Sequence, residues 1–99
     1  MTREELEINI MEWANNKGLL SPDNSKNQVL KAMAELGELA DEILKGDRKN
    51  IILELGDVEV CLTILKEQEN IEQDYPLKCA WEKIRSRTGK TVNGTFIKD

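Results

Sequence analysis

Residues from about Lys49 to about Glu69 form a helical stretch that is apolar almost all the way round. Ile51, Ile52, Leu53, Leu55, Val58, Val60, Leu62, Ile64 and Leu65 cover most of its circumference. Such a helix has to lie at the centre of a core or at a subunit interface, because too little of its surface is fit for water. Two acids break the apolar girdle. With Glu54 placed at zero and about 100° per residue, Val58 and Leu65 fall within about 40° on one side, and Cys61 and Ile64 flank Asp57 on the other. The solvated face lies elsewhere, around Glu59 and Lys66. An unpaired buried carboxylate costs several kcal/mol, so it pairs with a cation or takes up a proton. Something positive is expected against Glu54 and Asp57.

A second acid pair, Glu35 and Glu38, precedes this one in the sequence. Residues three apart on a helix share a face one turn apart, so each pair is a local two-carboxylate unit. Two such helices packed antiparallel bring four carboxylates to one place. The helix carrying Glu35 is predicted from about Ser25 to Lys45. Gln28, Lys31, Glu35, Glu38 and Glu42 lie within about 60° of one another on it. Val29, Met33, Leu36, Ala40, Ile43 and Leu44 make its apolar face. Taken alone, the polar stripe reads as a solvated face, with Lys31 and Glu35 a surface ion pair of small worth. Asp41 and Glu42 read as solvent acids. Gly37 and Gly56 sit at matching places inside the two acid pairs, where glycine costs about 1 kcal/mol against alanine. That match suggests close helix–helix approach or ligand access.

The remaining elements follow from local signals. Thr2 caps a first helix, with Glu5 as its capping-box partner, and Gly18 stops it after Lys17. Leu6, Ile10, Trp13 and Ala14 are its apolar stripe. Trp13 reads as core, although an aromatic beside the polar loop of residues 19–25 can also stack on a base. Gly46 and Asp47 turn the chain, with Asp47 or Asn50 as the next cap. Tyr75 and Pro76 open a fourth helix, whose apolar positions are Leu77, Ala80, Trp81 and Ile84. Its other face is basic, with Lys78, Lys83 and Arg85, and Arg87 and Lys90 follow it. Thr91-Val92, Asn93-Gly94 and Thr95-Phe96-Ile97 form a short β-hairpin with a type I′ turn. The expected fold class is all-α, a four-to-five-helix antiparallel bundle with a short C-terminal β-hairpin, as a single domain over residues 1–99.

Composition narrows the chemistry. A chain of 99 residues builds one modest core and gains from oligomerisation. A net charge of -5 argues against a broad nucleic-acid surface, which would be basic. No membrane-length apolar run, signal peptide or lipidation motif appears, so a cytoplasmic protein with no membrane partner is expected. Cys61 and Cys79 lack metal-type spacing and read as buried or half-buried thiols in a reducing compartment. The absence of histidine removes the usual zinc ligands, the imidazole base and the carboxylate–histidine di-iron motif. Carboxylates without imidazole or thiolate select hard cations, Mg²⁺ or Mn²⁺. Acids for metal and a separate basic cluster for phosphate oxygens suit metal-assisted phosphoanhydride hydrolysis.

The pattern Glu35-x-x-Glu38, fifteen residues, then Glu54-x-x-Asp57 resembles the signature of the MazG-like branch of the all-α nucleoside triphosphate pyrophosphatases. Trp13-Ala14 with Lys17-Gly18-Leu19, Gln28-x-x-Lys31-x-x-x-Glu35, Gly46-Asp47 and Arg87-x-Gly89-Lys90-x-Val92-x-Gly94-x-Phe96 extend the likeness over nearly the whole chain. The resemblance implies hydrolysis of (d)NTPs between the α and β phosphates, giving the monophosphate and pyrophosphate, in nucleotide house-cleaning. It implies Mg²⁺, with Mn²⁺ as a possible substitute, and a homodimer or homotetramer. Carried over, Glu35, Glu38, Glu54 and Asp57 hold the metal, and Glu35 or Glu38 orients or deprotonates the attacking water. Lys31 touches phosphate, and Gln28, Lys83, Arg87 and Lys90 are further substrate contacts, with Trp13 or Trp81 bordering the base. Two other readings stand beside this one. One is a non-catalytic helical module that binds nucleotides or a protein. The other is a structural bundle in which Lys31 or Arg85 neutralises Glu54 and Asp57.

Overall fold

A computed structural model describes all 99 residues. The chain runs α1 (Arg3–Asn16), a 3₁₀ turn (Pro22–Asn24), α2 (Ser25–Lys45), α3 (Arg48–Gln68), α4 (Tyr75–Ile84), β1 (Gly89–Val92) and β2 (Thr95–Lys98). The fold is all-α with a short antiparallel hairpin at its end, as expected. Local chemistry sets the boundaries. The Glu5 N–H donates to Thr2 Oγ1 at 3.1 Å and the Thr2 N–H to Glu5 Oε1 at 3.4 Å, so the capping box is complete. Gly46 ends α2 at φ +75°, a left-handed conformation cheap only for glycine, and its N–H donates to the Glu42 carbonyl. One residue later Asp47 Oδ1 accepts the Asn50 N–H at 3.3 Å and opens α3. This two-residue link folds α2 back along α3, and that antiparallel pair is the main packing unit of the chain.

α1 lies along α3, with Ala14 fully buried. Arg3 Nη1 reaches Glu59 Oε1 on α3 at 2.7 Å. Buried amides fix the loops. Gln68 Nε2 donates to the Leu19 carbonyl at 2.7 Å, and Gln73 Nε2 to the Thr63 carbonyl at 2.9 Å. In the hairpin Val92 pairs with Thr95 across Asn93 and Gly94, at φ +51° and +80°, as a type I′ turn requires.

The orientation of α2 fits the gathering of its acids with those of α3 and corrects the reading of its polar stripe alone, although Lys31 and Glu38 of that stripe stay exposed. Its buried residues are Gln28, Ala32 and Glu35, two of them from the polar stripe that read alone as solvated. Val29, Met33, Leu36, Ile43 and Leu44, its apolar face, are all exposed. Ala32 is small, and Gln28 Nε2 donates to the Cys61 carbonyl of α3 at 3.0 Å, so the polar stripe makes a close, specific contact. The glycine expectation is also corrected. A Cβ at Gly37 or Gly56 would meet nothing within 4 Å, so neither marks close helix contact within the chain. α4 and the hairpin do not pack extensively on α2 or α3. Leu77 and Trp81 are accordingly exposed, and so is Cys79, whereas Cys61 is buried.

Candidate metal centre

Because α2 turns its polar stripe inward, its acids meet those of α3. Glu35 and Glu38 from α2 and Glu54 from α3 each offer a carboxylate oxygen, and these three atoms lie within 4.8 Å of one another. Glu35 is buried, Glu54 half-buried and Glu38 exposed. The Glu35 side chain is only 9% accessible, and its Oε1 meets Lys31 Nζ at 3.0 Å. Its other oxygen, Oε2, is buried with no hydrogen-bond partner, and so is Glu54 Oε2. Two orphaned carboxylate oxygens on facing helices are an expensive arrangement unless a cation completes it. An all-oxygen donor set suits Mg²⁺ or Mn²⁺. The residues present therefore fit a hard divalent ion.

The electrostatics of the group are divided. The hydrogen bond from Lys31 holds the Glu35 carboxyl below its ordinary range, and Glu35 in turn raises the Lys31 ammonium. Glu54 has no cation. Burial first, then the facing Glu35 carboxyl and the charges of Glu38 and Asp57, push its pKa up to about 7. Near neutral pH Glu54 is therefore partly protonated, and a divalent ion would displace that proton. Burial and the nearby Glu35 charge also push the Cys61 thiol up, so Cys61 is a packed side chain.

The structure brings together three of the four expected metal ligands. Asp57 is exposed and stands outside the triad, one turn farther along α3 and about 60° around it. Lys31 neutralises Glu35, while Arg85 pairs with Glu82 at 3.5 Å, so the cation expected against Glu54 is not there. That removes the reading in which Lys31 or Arg85 silences Glu54. The Gln28 amide is committed to the Cys61 carbonyl. Trp13 is half-exposed and lines a shallow apolar groove with Leu6, Ile10 and Val60 on the α1–α3 side. Lys83, Arg87 and Lys90 lie on or after α4, and none pairs with a triad acid. The largest groove, about 730 Å³, runs between the start of α2 and the end of α3 and contains no triad acid.

Glu42 was misjudged as a solvent acid. Its side chain is 16% accessible, and Oε2 is buried without a partner while Oε1 stands 3.6 Å from Lys45 Nζ. Its place one and two turns on from Glu38 and Glu35, on the stripe that faces α3, was the available signal.

The fold and site define a helical protein with a three-carboxylate group, fit to hold a metal ion, on an antiparallel helix pair. The family model of the MazG nucleotide pyrophosphohydrolase domain matches residues 24–92, which contain all four signature acids. This chain belongs to that family. It is also 32% identical over 69 residues to an uncharacterized 18.2 kDa protein from the rep-hol intergenic region of Haemophilus phage HP1. The match covers 70% of this chain and 42% of that relative, so the chain spans less than half of the relative's length. No solved structure matches it. No helix is long and apolar enough to cross a membrane.

Proposed function

We propose that this chain is a Mg²⁺-dependent nucleoside triphosphate pyrophosphohydrolase that converts (d)NTP and water to (d)NMP and pyrophosphate. On this reading it is a single domain over residues 1–99. It acts in the cytoplasm in nucleotide-pool house-cleaning, as a homodimer or homotetramer, with neither nucleic-acid polymer nor membrane as partner. The observation that carries the reading is the pair of orphaned oxygens, Glu35 Oε2 and Glu54 Oε2, inside a three-carboxylate group in a MazG-family chain.

Glu35, Glu38 and Glu54 hold the metal, Mg²⁺ or in its place Mn²⁺, and Asp57 joins from the next turn of α3. Bound there, the ion supplies charge neutralisation for phosphate oxygens and acidifies a bound water. Lys31 fixes the Glu35 carboxylate in its ionised form, which keeps a permanent acceptor at the site. Glu38, the exposed acid, is open to an incoming water and suits the role of orienting it. Lys31, Lys83, Arg87 and Lys90 supply phosphate contacts, and Trp13 a stacking face for the base.

A pyrophosphate-release assay over canonical and modified NTPs and dNTPs, with Mg²⁺, Mn²⁺ or chelator, tests this. Metal-dependent formation of pyrophosphate and monophosphate is expected, with loss of at least about 100-fold in Glu35→Gln or Glu38→Gln. Orthophosphate release would refute the cleavage site. No turnover by a folded, metal-binding protein would leave a non-catalytic nucleotide-binding module.

A further inference from the structure

The open side of the triad leads along α3 to a groove that the metal centre does not use. Asp57 lies about 60° around α3 from Glu54, and Val60 about 120° in the same direction and about 9 Å farther along the axis than Glu54. On α2, the exposed Glu38 lies to the side of Glu35 that antiparallel packing brings next to Asp57. Val60 forms a shallow groove of about 310 Å³ with Leu6, Asn9, Ile10 and Trp13 of α1. An adjoining hollow shares Leu6, Ile10 and Val60 and reaches Gly56, the residue before Asp57. A Cβ at Gly56 would meet nothing within 4 Å, so this end of the groove is open. The larger groove of about 730 Å³ opens at Val29 and Leu62, on the opposite side of the helix pair.

The lining sets what the groove can recognise. Trp13 is 52% exposed, so its ring is available for contact. Asn9 carries the one polar side chain of the lining, and its Nδ2 donates to Met1 Sδ at 3.3 Å. Both walls lie within helices, Leu6 to Trp13 in α1 and Val60 in α3, so their backbone N–H groups are committed to helical bonds. The groove therefore offers an aromatic face, aliphatic walls and a lone acceptor, Asn9 Oδ1, and no paired set of donors and acceptors for the edge of a base. Stacking on an aromatic ring tolerates any base, because every base has a π-face. An apolar wall rejects an isostere only weakly. A purine covers more apolar area in such a stack than a pyrimidine and gains more from it.

We propose that this groove takes the base of the nucleotide by stacking on Trp13 and leaves its hydrogen-bonding edge unread, so that purine (d)NTPs with ordinary and altered edges are accepted alike. The proposal deepens the pyrophosphohydrolase reading and rests on it. The triphosphate meets the metal held by Glu35, Glu38 and Glu54, and Asp57 stands between that end and the base. Trp13 is then a specificity-determining residue, which sets a preference among ring sizes and none among edges.

Steady-state kcat/KM values for dATP, dGTP, dITP, dCTP and dUTP with Mg²⁺ test it, with inorganic tripolyphosphate as a base-free competitor. The three purines are expected within about threefold of one another and at least about threefold above both pyrimidines. Trp13→Ala should raise KM for the purines about tenfold with kcat little changed, and Trp13→Phe should keep most of the affinity. Tripolyphosphate should inhibit both variants and the unmodified protein equally, because it has no base to stack. A spread of about 100-fold among the three purines, or a preference for the pyrimidines, would overturn the unread edge and leave the hydrolase reading intact. If Trp13→Ala weakens tripolyphosphate as much as it weakens the nucleotides, Trp13 serves the fold or a subunit contact and the groove is not a base site. Should that variant fail to fold, the five substrates on the unmodified protein decide alone. No turnover of any nucleotide would refute the reaction itself, and this proposal with it.

Discussion

Metal binding should expel a proton from Glu54, and the number expelled follows from its environment. With a pKa of about 7, Glu54 is protonated to about 0.9 at pH 6 and about 0.1 at pH 8. A carboxylate must be ionised to act as a ligand, so Mg²⁺ binding releases about 0.9 proton per site at pH 6 and about 0.1 at pH 8. Proton competition also weakens apparent affinity about tenfold at pH 6 relative to pH 8. Glu35 adds nothing in this window, because Lys31 keeps it ionised. Calorimetric titration with Mg²⁺ in two buffers of different ionisation enthalpy, at each pH, counts the protons directly. Glu54→Gln should abolish the pH-dependent release. Equal proton release at pH 6 and pH 8, or release that survives in Glu54→Gln, would refute the assignment of Glu54 as the protonated ligand.

Two further outcomes follow from the same contacts. The folded-state pKa of Glu54 lies above its ordinary value of 4.5, so the folded state binds the extra proton. The stability it contributes is complete below pH about 4.5 and lost as pH rises through about 7. Without metal, thermal melts should therefore show Glu54→Gln matching the unmodified protein near pH 4 and exceeding it at pH 8, with saturating Mg²⁺ narrowing the gap. Gln28→Ala should cost about 1–3 kcal/mol in urea unfolding, because it removes a buried hydrogen bond to the Cys61 carbonyl together with its packing. A cost near zero would mean that the α2–α3 contact does not depend on that amide.

Much of the site was legible because its signals are local. Glu35 and Glu38 share a helix face by spacing alone, and Glu54 stands out as an acid in an apolar girdle. Lys31 and Glu35 pair as an i,i+4 couple should. Asp57 was expected inside by the same reasoning and stands outside, since its inclusion depends on how α2 crosses α3 at that level. Glu42 was read outward and lies half inside for the same reason. The basic positions after residue 77 had no local signal that could place them against the acids, and none of them forms an ion pair with a triad acid.

By itself, the sequence determined where elements begin and end. Thr2, Gly46, Asp47, Pro76 and Asn93-Gly94 act through dihedral preference and capping bonds within a few residues, so no distant contact is needed to read them. Only the tertiary structure decided which face of α2 turns toward α3. A helical wheel shows that two faces differ; it does not say which one meets a neighbour within the chain and which is left for another surface. Here the small Ala32, the Gln28 amide and the Glu35 carboxyl face α3, and the long apolar stripe is left uncovered. That choice depends on the fit of two surfaces distant in sequence, and it is what gathers three carboxylates into one site.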